Sequence, residues 1–112
     1  MLPSKNRLVS EREFRRVYRK GATFFSDYLL IKIAPNNSDY TRIGIVVSKK
    51  ISKKAVVRNA IKRSIRELIR PMLAKIKRGY DCILIPKKSY KLAKVSEKKR
   101  SIDILLKRSK IY

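Results

Sequence analysis

The beginning of the chain predicts a helix. Its apolar residues recur at i, i+3 and i+4: Phe14, Val17 and Tyr18. This spacing places them on one helix face. Ser10 and Glu13 stand three residues apart, as in a capping box, and Gly21 follows, since glycine tolerates the left-handed conformation that ends many helices. The pattern predicts a helix over residues 10–20, with an irregular segment, residues 1–7, before it.

Residues 28–34 and 41–48 are predicted to form two β-strands. The first is rich in β-branched and apolar residues. The second alternates apolar residues onto one face: Ile43, Ile45 and Val47. Residues 35–39 between them read Pro-Asn-Asn-Ser-Asp, which is turn chemistry, and so short a loop favours a hairpin. Gly44 faces the other side of its strand, where another element can approach the backbone closely.

The second half of the chain predicts a helix, a strand and a last helix. The strongest helical pattern covers residues 55–70, and Pro71 either ends that helix or kinks it. Residues 80–85 are predicted as a buried strand. Residues 95–110 predict the final helix, with Ser96 as its candidate cap. Its inward residues are Ile102, Leu105 and Leu106.

The element order α-β-β-α-β-α contains no linker and no repeat. It predicts one α+β domain over residues 1–112, a small sheet with helices packed on it. Hydrophobic residues make up 44% of the chain, enough for a core. No apolar run approaches the ~20 residues of a membrane-spanning helix, and residues 1–7 lack a secretory signal. Because Cys82 is the lone cysteine, we expect a soluble cytoplasmic protein from a reducing compartment.

Positive charge dominates the composition. Lys and Arg number 31 and Asp and Glu number 8, which gives a formal net charge of +23. So many uncompensated charges on one small domain predict a polyanionic partner. A membrane surface is the weaker alternative, because the basic residues are spread over the whole chain.

Residues that could cut a bond or hold a metal are scarce. The chain has no His, and Cys82 alone forms neither a disulfide nor a cysteine-based zinc site. The acids are scattered: Glu11, Glu13, Asp27, Asp39, Glu67, Asp81, Glu97 and Asp103. Two-metal phosphodiester hydrolysis needs clustered carboxylates. We therefore expect no catalytic residue, no metal site and no cofactor held by side chains, and the residues favour an RNA-binding protein that breaks no bond by itself.

The helix predicted over residues 55–70 has an apolar stripe and a cationic face. The stripe contains Val57, Ile61, Ile65, Leu68 and Met72. The cationic face contains Arg58, Asn59, Lys62, Arg63, Arg66 and Arg70. Like charges at i, i+4 destabilise a helix, and ordinary solvated helices mix signs. Arg58, Lys62 and Arg66 in register therefore favour an RNA-binding face over a face that serves solubility alone.

Four lysines precede this helix: Lys49, Lys50, Lys53 and Lys54. Ser48, Ser52 and the N–H groups of the first helical turn could contact phosphate as well. On its own the lysine run is typical of a solvated loop. Next to the cationic helix it extends the candidate RNA-binding surface.

A second candidate surface combines aromatic and cationic residues. Phe14 and Tyr18 lie one helical turn apart, and Leu30 and Lys32 share a strand face with Tyr28. Such a face can hold a single nucleic-acid strand through stacking and charge. The alternative, which the pattern leaves equally open, is that the two helical residues simply pack in the core.

The ordered basic residues resemble the signature of the bacterial ribonuclease P protein family. They are Ser48-Lys49-Lys50, Ala55-Val56-Val57-Arg58-Asn59, Lys62-Arg63 and Arg66-Glu67. Further similar segments are Asn6-Arg7-Leu8, the helix with Glu13, Phe14, Tyr18 and Gly21, and Arg42-Ile43-Gly44. The resemblance thus extends over nearly the whole chain, and length, charge and element order agree with it.

This resemblance implies a ribosomal protein S5 domain 2-like fold with a left-handed β-α-β crossover around the basic helix. It implies a ribonucleoprotein whose catalytic RNA, with Mg²⁺ at its active site, removes the 5′ leader of precursor tRNA. Residues that match the RNA-binding motif are Lys49, Lys50, Arg58, Asn59, Lys62, Arg63 and Arg66. The family's leader-binding cleft is similar to the surface formed by Phe14, Tyr18, Leu30 and Lys32.

Two positions depart from the family pattern. Lys32 stands where many members have an aromatic residue, which shifts the cleft from stacking toward charge. Ala60 stands where the family usually has Arg, so one RNA contact is lost or passes to Lys62 or Arg63.

Two other functions stay open at the level of sequence. A structural RNA-binding protein of the ribosomal type, without a role in cleavage, has the same composition. A DNA-binding regulator would place the basic helix in a major groove, but recognition helices usually follow a short helix and a turn, whereas strands flank this one.

Overall fold

The structure, a computed structural model, describes residues 2–112 and consists of three helices packed on a four-stranded sheet. The helices are α1 (Glu11–Lys20), α2 (Ala55–Ile69) and α3 (Val95–Arg108). The strands are β1 (Ala22–Phe25), β2 (Leu29–Pro35), β3 (Arg42–Ile45) and β4 (Tyr80–Pro86). Short 3-10 segments lie at Ser4–Asn6, Arg70–Lys75 and Lys88–Leu92. The predicted α+β class is confirmed, with one strand more than the sequence pattern showed.

The additional strand is β1. It has only four residues, so its alternation is too short to stand out from the sequence. It pairs antiparallel with β2, with Ala22 opposite Ile33 and Phe25 opposite Leu30. The two strands form a hairpin, and its short connection is closed by a hydrogen bond from the Ser26 N–H to Leu29 O at 2.9 Å.

The hairpin predicted between residues 28–34 and 41–48 is wrong. The strand order is β1-β2-β4-β3, so β4 lies between the two strands that were expected to pair. β3 runs parallel to β4, with Ile43 opposite Cys82, and α2 supplies the long crossover that a parallel pair requires. Apolar alternation identifies a strand without identifying its partner. β4, the more continuously buried strand, takes the inner position instead.

The sheet separates two apolar layers. On one face the buried helical residues come from α2 and α3: Ile61, Ile65, Ile69, Ile102, Leu105 and Leu106. On the other face α1 packs through Val17 against Ala34 and Ile83. Both layers leave the cationic side of α2 turned away from the core. The handedness of the β3–α2–β4 crossover stays a prediction.

Two glycines fix the position of α1. A Cβ on Gly44 would lie 2.5 Å from Cζ of Phe14, so a larger residue would push α1 away from the sheet. This is the close approach that the pattern predicted at Gly44. Gly21 follows α1 in an extended conformation, φ −76°, and not in the predicted left-handed one. It is required because a Cβ there would lie 2.5 Å from the carbonyl oxygen of Val17.

The helix caps differ from the predicted ones. Ser10 precedes α1, but its side chain makes no capping hydrogen bond, and Glu13 pairs with arginines instead. α3 begins after Lys94, whose N–H donates to Oε1 of Glu97 at 2.8 Å. Ser96 is therefore not the cap of this helix.

The N-terminal segment is more ordered than predicted. Ser4–Asn6 forms a 3-10 turn, and the Leu8 N–H donates to Ile43 O at 2.9 Å, which attaches the segment to the edge of β3. Met1 of the predicted irregular segment lies outside the described residues.

Pro71 ends α2, one of the two outcomes that the sequence left open. The α-helix stops at Ile69 and the chain continues as the 3-10 segment Arg70–Lys75. Met72 is buried within that segment, so the apolar stripe of α2 continues past the end of the helix.

Candidate nucleic-acid interface

One side of α2 is a cationic surface. Ile61, Ile65 and Ile69 are buried on the opposite side, which turns the basic residues outward. We define the α2 basic face as Arg58, Asn59, Lys62, Arg63 and Arg66. Asn59 and Arg63 are exposed, and the other three are half-buried. All five were predicted from the sequence, and the structure brings them together.

The cations of the α2 basic face have no carboxylate partner among residues 2–112. Glu67 of α2 pairs with Arg70, which follows the helix and lies outside the α2 basic face; nitrogen and oxygen are 3.2 Å apart and both side chains are more than half exposed. No carboxylate of residues 2–112 thus compensates the positive charge of the α2 basic face. A surface of this kind attracts phosphate, and binding releases the counterions condensed on the nucleic acid.

The loop before α2 is held in place by its own hydrogen bonds. Nη1 of Arg58 donates to Ser52 O at 3.0 Å and to Lys53 O at 2.8 Å. The hydroxyl oxygens of Ser48 and Ser52 accept backbone N–H groups at 3.1 and 3.2 Å. The four predicted lysines of this loop, Lys49, Lys50, Lys53 and Lys54, are all exposed. Arg58 therefore also orders the loop that presents the lysines, a role that the sequence did not show.

A cleft lies between α1 and the uncovered part of the sheet. Tyr18 of α1 is 43% exposed, and Nζ of Lys32 lies 5.7 Å from the centre of its ring. The same amine donates to Oγ1 of Thr23 at 3.1 Å, which holds it over the sheet. Partial burial raises the pKa of Tyr18, so the ring stays a neutral phenol at any physiological pH.

The four residues predicted for this cleft divide into two groups. Tyr18, Leu30 and Lys32 lie on its surface and are at least partly exposed. Phe14 is turned toward Gly44 and packs with the apolar layer beneath α1. The alternative that the two helical residues simply pack in the core is therefore correct in part for Phe14 and wrong for Tyr18.

Three cleft residues escaped the sequence analysis. Strand register places Phe25 and Ile85 on either side of Leu30. Val46 continues the row at the end of β3, where its N–H donates to Leu84 O at 3.1 Å. Phe25 is 55% exposed, so the missed strand β1 supplies an aromatic group to this surface. The signal that could have found this strand was the Phe24-Phe25 pair, which follows Gly21 after two residues.

A second group of charges lies at the other end of the sheet and is fully paired. Asp81 is completely buried and accepts two hydrogen bonds from Arg42, both at 2.7 Å. Arg16 donates to it at 2.5 Å and Asn36 at 2.7 Å. We call these residues, with Glu13, the Asp81 cluster. It joins α1, β3, β4 and the loop after β2.

The charges of the Asp81 cluster stabilise one another. Burial alone would raise the pKa of Asp81, but the hydrogen bonds from Arg42 and Asn36 outweigh it and hold this pKa below the usual value. The same carboxylate raises the pKa of Arg42. Arg16 and Arg42 therefore serve the fold, and their charge is offset before any nucleic acid binds.

The remaining chemistry of the described residues is sparse. Within residues 2–112, no three His, Cys, Asp or Glu side chains lie close enough together to hold a metal ion. Cys82 is buried, and desolvation raises the pKa of its thiol far above the usual value. None of the described helices is long and apolar enough to cross a membrane.

A helix whose basic face has no carboxylate partner among residues 2–112, together with an open aromatic sheet surface, is typical of RNA-binding α+β proteins. The comparisons with known proteins identify the family. The sequence model of the Ribonuclease P family matches residues 2–110. The ribonuclease P protein component of Clostridioides difficile is 44% identical over 105 residues, 93% of this chain and 91% of that protein. The one from a Pseudanabaena species is 47% identical over 75% of this chain and 73% of that protein.

Solved structures of ribonuclease P proteins have the same fold as this chain. The RNase P protein of Staphylococcus aureus has a TM-score of 0.85 at 31% identity, covering 96% of this chain and 97% of that one. The RNase P protein of Thermotoga maritima has a TM-score of 0.81 at 31% identity, covering 91% and 96%. The chain belongs to the ribonuclease P protein family. It is a subunit of that endoribonuclease, which acts in tRNA 5′ processing, and the family implies the ribonuclease P RNA as its partner. The ribosomal-type and DNA-binding alternatives do not hold.

Proposed function

We propose that the α2 basic face and the lysine loop bind the catalytic RNA of ribonuclease P, and that the cleft beside α1 binds the 5′ leader of precursor tRNA. The observation that carries the first half is the set of cations on α2 that no carboxylate within residues 2–112 compensates. Two RNAs that must approach one another repel through their phosphates. A protein with uncompensated positive charge offsets that repulsion.

The cleft suits a single strand better than a duplex. Its floor is one row of side chains, Phe25, Leu30, Ile85 and Val46, beside the exposed ring of Tyr18. Aromatic side chains stack on unpaired bases of any sequence, and a nearby ammonium group attracts the backbone. Lys32 supplies that ammonium group here. A leader has unpaired bases, whereas mature tRNA has lost the leader altogether.

Bond breaking in this proposal belongs to the RNA. Mg²⁺ ions held chiefly by the RNA would supply the activated water and stabilise the leaving oxygen. The side chains of this chain bind and orient the two RNAs and take no part in proton transfer. The cytoplasmic location expected from the sequence is part of the same proposal.

Reconstitution with two charge-matched variants tests the RNA-binding face. Wild-type protein is added to the catalytic RNA and a precursor tRNA at low Mg²⁺, and release of the 5′ leader is measured. We expect stimulation by wild type and a large loss with the double variant Lys62→Gln, Arg66→Gln. The control, Lys91→Gln with Lys99→Gln, removes the same charge from exposed positions outside α2.

With the control variant, the rate of leader release should stay within about twofold of the wild-type rate, because isolated surface charges contribute little. Equal losses in the two double variants would mean that total charge matters and the α2 basic face does not. Absence of stimulation by the wild-type protein would contradict the proposed function as a whole.

A further inference from the structure

A cavity of about 460 Å³ lies where the N-terminal segment leaves the edge of β3. Apolar side chains line much of it: Leu8, Val9, Phe14, Ile43 and Ile45. The charged residues that line it are three arginines and one carboxylate: Arg7, Arg63, Arg66 and Glu67. The size is within the range of small-ligand sites, which combine an apolar interior with a few polar groups.

The backbone of β3 adds hydrogen-bonding groups to this cavity. Alternate residues of an edge strand point their N–H and C=O groups away from the sheet. Ile43 O points outward and accepts the N–H of Leu8, while the Val46 N–H points inward to Leu84 O. By this alternation the N–H and C=O of Ile45 point outward too. The described hydrogen bonds of residues 2–112 pair neither group across this edge, because the N-terminal segment leaves the strand after Leu8.

The charge of the cavity favours an anionic occupant, because three arginines line it and only one carboxylate, that of Glu67, offsets them. Two of its arginines, Arg63 and Arg66, belong to the α2 basic face and have no carboxylate partner among residues 2–112. Nε of Arg7 donates to Leu2 O at 2.7 Å, which leaves the rest of its guanidinium group for another ligand. An apolar interior, a backbone donor beside an acceptor, and an excess of arginine over carboxylate match a planar base with its phosphate.

We propose that this cavity binds one unpaired nucleobase of the RNA partner, with the adjoining phosphate on Arg63 and Arg66. The inference rests on the proposed function, because it places the base in the RNA that binds the α2 basic face. The N–H and C=O of Ile45 contact the edge of the base, and the apolar side chains cover its ring. The site lies on the β3 side of α1 and is distinct from the row of residues that forms the leader cleft.

Two probes that differ only in the base test the site. The full-length protein is titrated with AMP or with ribose 5-phosphate while methyl NMR signals are followed. AMP should shift the signals of Leu8, Ile43 and Ile45, and ribose 5-phosphate should not. Equal shifts with both probes would mean that the cavity is a phosphate site only. No shift at millimolar AMP would also overturn the proposal.

A pocket-filling variant extends the test to the complete ribonucleoprotein. Val9→Trp fills the cavity from an exposed position, and Val95→Trp places the same side chain on an exposed valine of α3 outside the cavity. Val9→Trp should abolish the AMP shifts and lower affinity for the catalytic RNA roughly tenfold, the loss of one stacked base. In the complex with the catalytic RNA, Val9→Trp should also expose one unpaired base to modification by dimethyl sulfate. Val95→Trp should leave the AMP shifts, the RNA affinity and the modification pattern as in wild type.

The outcome separates this proposal from the proposed function. If Val9→Trp binds the catalytic RNA with wild-type affinity and protects its bases from dimethyl sulfate as wild type does, the base site is overturned. Stimulation of cleavage by the wild-type protein would still support the RNA-binding face. A thermal melt of both tryptophan variants shows whether either one has lost its fold. The AMP comparison on the wild type is independent of that result.

Discussion

The α2 basic face and the Asp81 cluster use the same residue type in opposite ways. In the cluster, Arg16 and Arg42 are matched to a buried carboxylate at 2.5–2.7 Å. On α2, Arg63 and Arg66 have no carboxylate partner within residues 2–112. The comparison teaches that arginine content alone says nothing about RNA binding. What distinguishes the two regions is whether the fold itself supplies the counter-charge.

Among substitutions within the two compared regions, the largest expected effect on stability comes from Asp81→Asn. It leaves Arg42 and Arg16 beside a neutral group, and breaking a buried pair whose partners are partly exposed should lower the free energy of unfolding by about 2–4 kcal/mol. Urea unfolding measures the change. Affinity for the catalytic RNA per folded molecule should stay the same, and a drop in that affinity would erase the distinction between the two regions.

Acid should weaken the cluster before it affects the α2 basic face. The folded-state pKa of Asp81 is below its unfolded value, so its contribution to stability is complete above about pH 4 and is lost as the pH falls through the folded pKa. Urea unfolding from neutral pH into this range should show a smaller loss for Asp81→Asn than for wild type. The pKa of Glu97 is also lowered, first by the Lys94 N–H and then by the Tyr28 hydroxyl, so the test is the difference between the two proteins. Parallel curves of stability against pH for the two proteins would contradict the stabilising role of ionised Asp81.

Arg66→Ala should show the reverse of Asp81→Asn. The free energy of unfolding should change by no more than about 0.5 kcal/mol, as for most surface substitutions. The log–log salt slope of RNA binding should fall by roughly 1, the value for one lost phosphate contact. Lys99→Ala, an exposed cation on α3, is the control and should leave the slope unchanged. A melted protein with an unchanged slope would show that Arg66 is structural.

Ile61→Asp is the counterpart of Arg66→Ala on the buried side of the same helix. Ile61 is buried, so a carboxylate there should unfold the domain. Thermal unfolding checks this, and a cooperative wild-type melt would place Ile61 outside the core.

The smallest expected effect concerns the cleft. Tyr18→Ala should weaken binding of precursor tRNA to the holoenzyme about fivefold, the lower end for one stacked base, because Lys32 retains part of the interaction. Binding of mature tRNA should not change. Tyr40→Ala removes a tyrosine of similar exposure, 45%, away from the cleft. Equal losses for substrate and product would remove Tyr18 from the cleft.

The sequence predicted the parts of this protein that depend on local pattern. The two faces of α2 follow from the 3.6-residue period, and a close approach at Gly44 follows from strand alternation, although only the structure shows that Phe14 makes it. Partners across the sheet were not available from any local pattern. The β2–β3 hairpin was therefore wrong, and Phe25 and Ile85 were missed because they depend on register with Leu30.

The Asp81 cluster was missed for a related reason. Arg16, Asn36, Arg42 and Asp81 are separated by up to 65 residues along the chain, and the sequence showed Asp81 only as one of several scattered acids. Charge balance is a property of the folded neighbourhood. Patterns of cations along α2 indicated which residues face outward, but they could not show that Arg16 and Arg42 are already neutralised.

The inner position of β4 has a consequence for biosynthesis. β4 bridges β2 and β3, so a nascent chain that ends before residue 80 has only the β1–β2 hairpin of the final sheet. Because Asp81 is also in β4, α1 has no buried carboxylate to dock on until the same moment. Long-range pairing of this kind slows folding. Until the last third of the chain has been synthesised, the cationic helix therefore has no completed sheet to pack on.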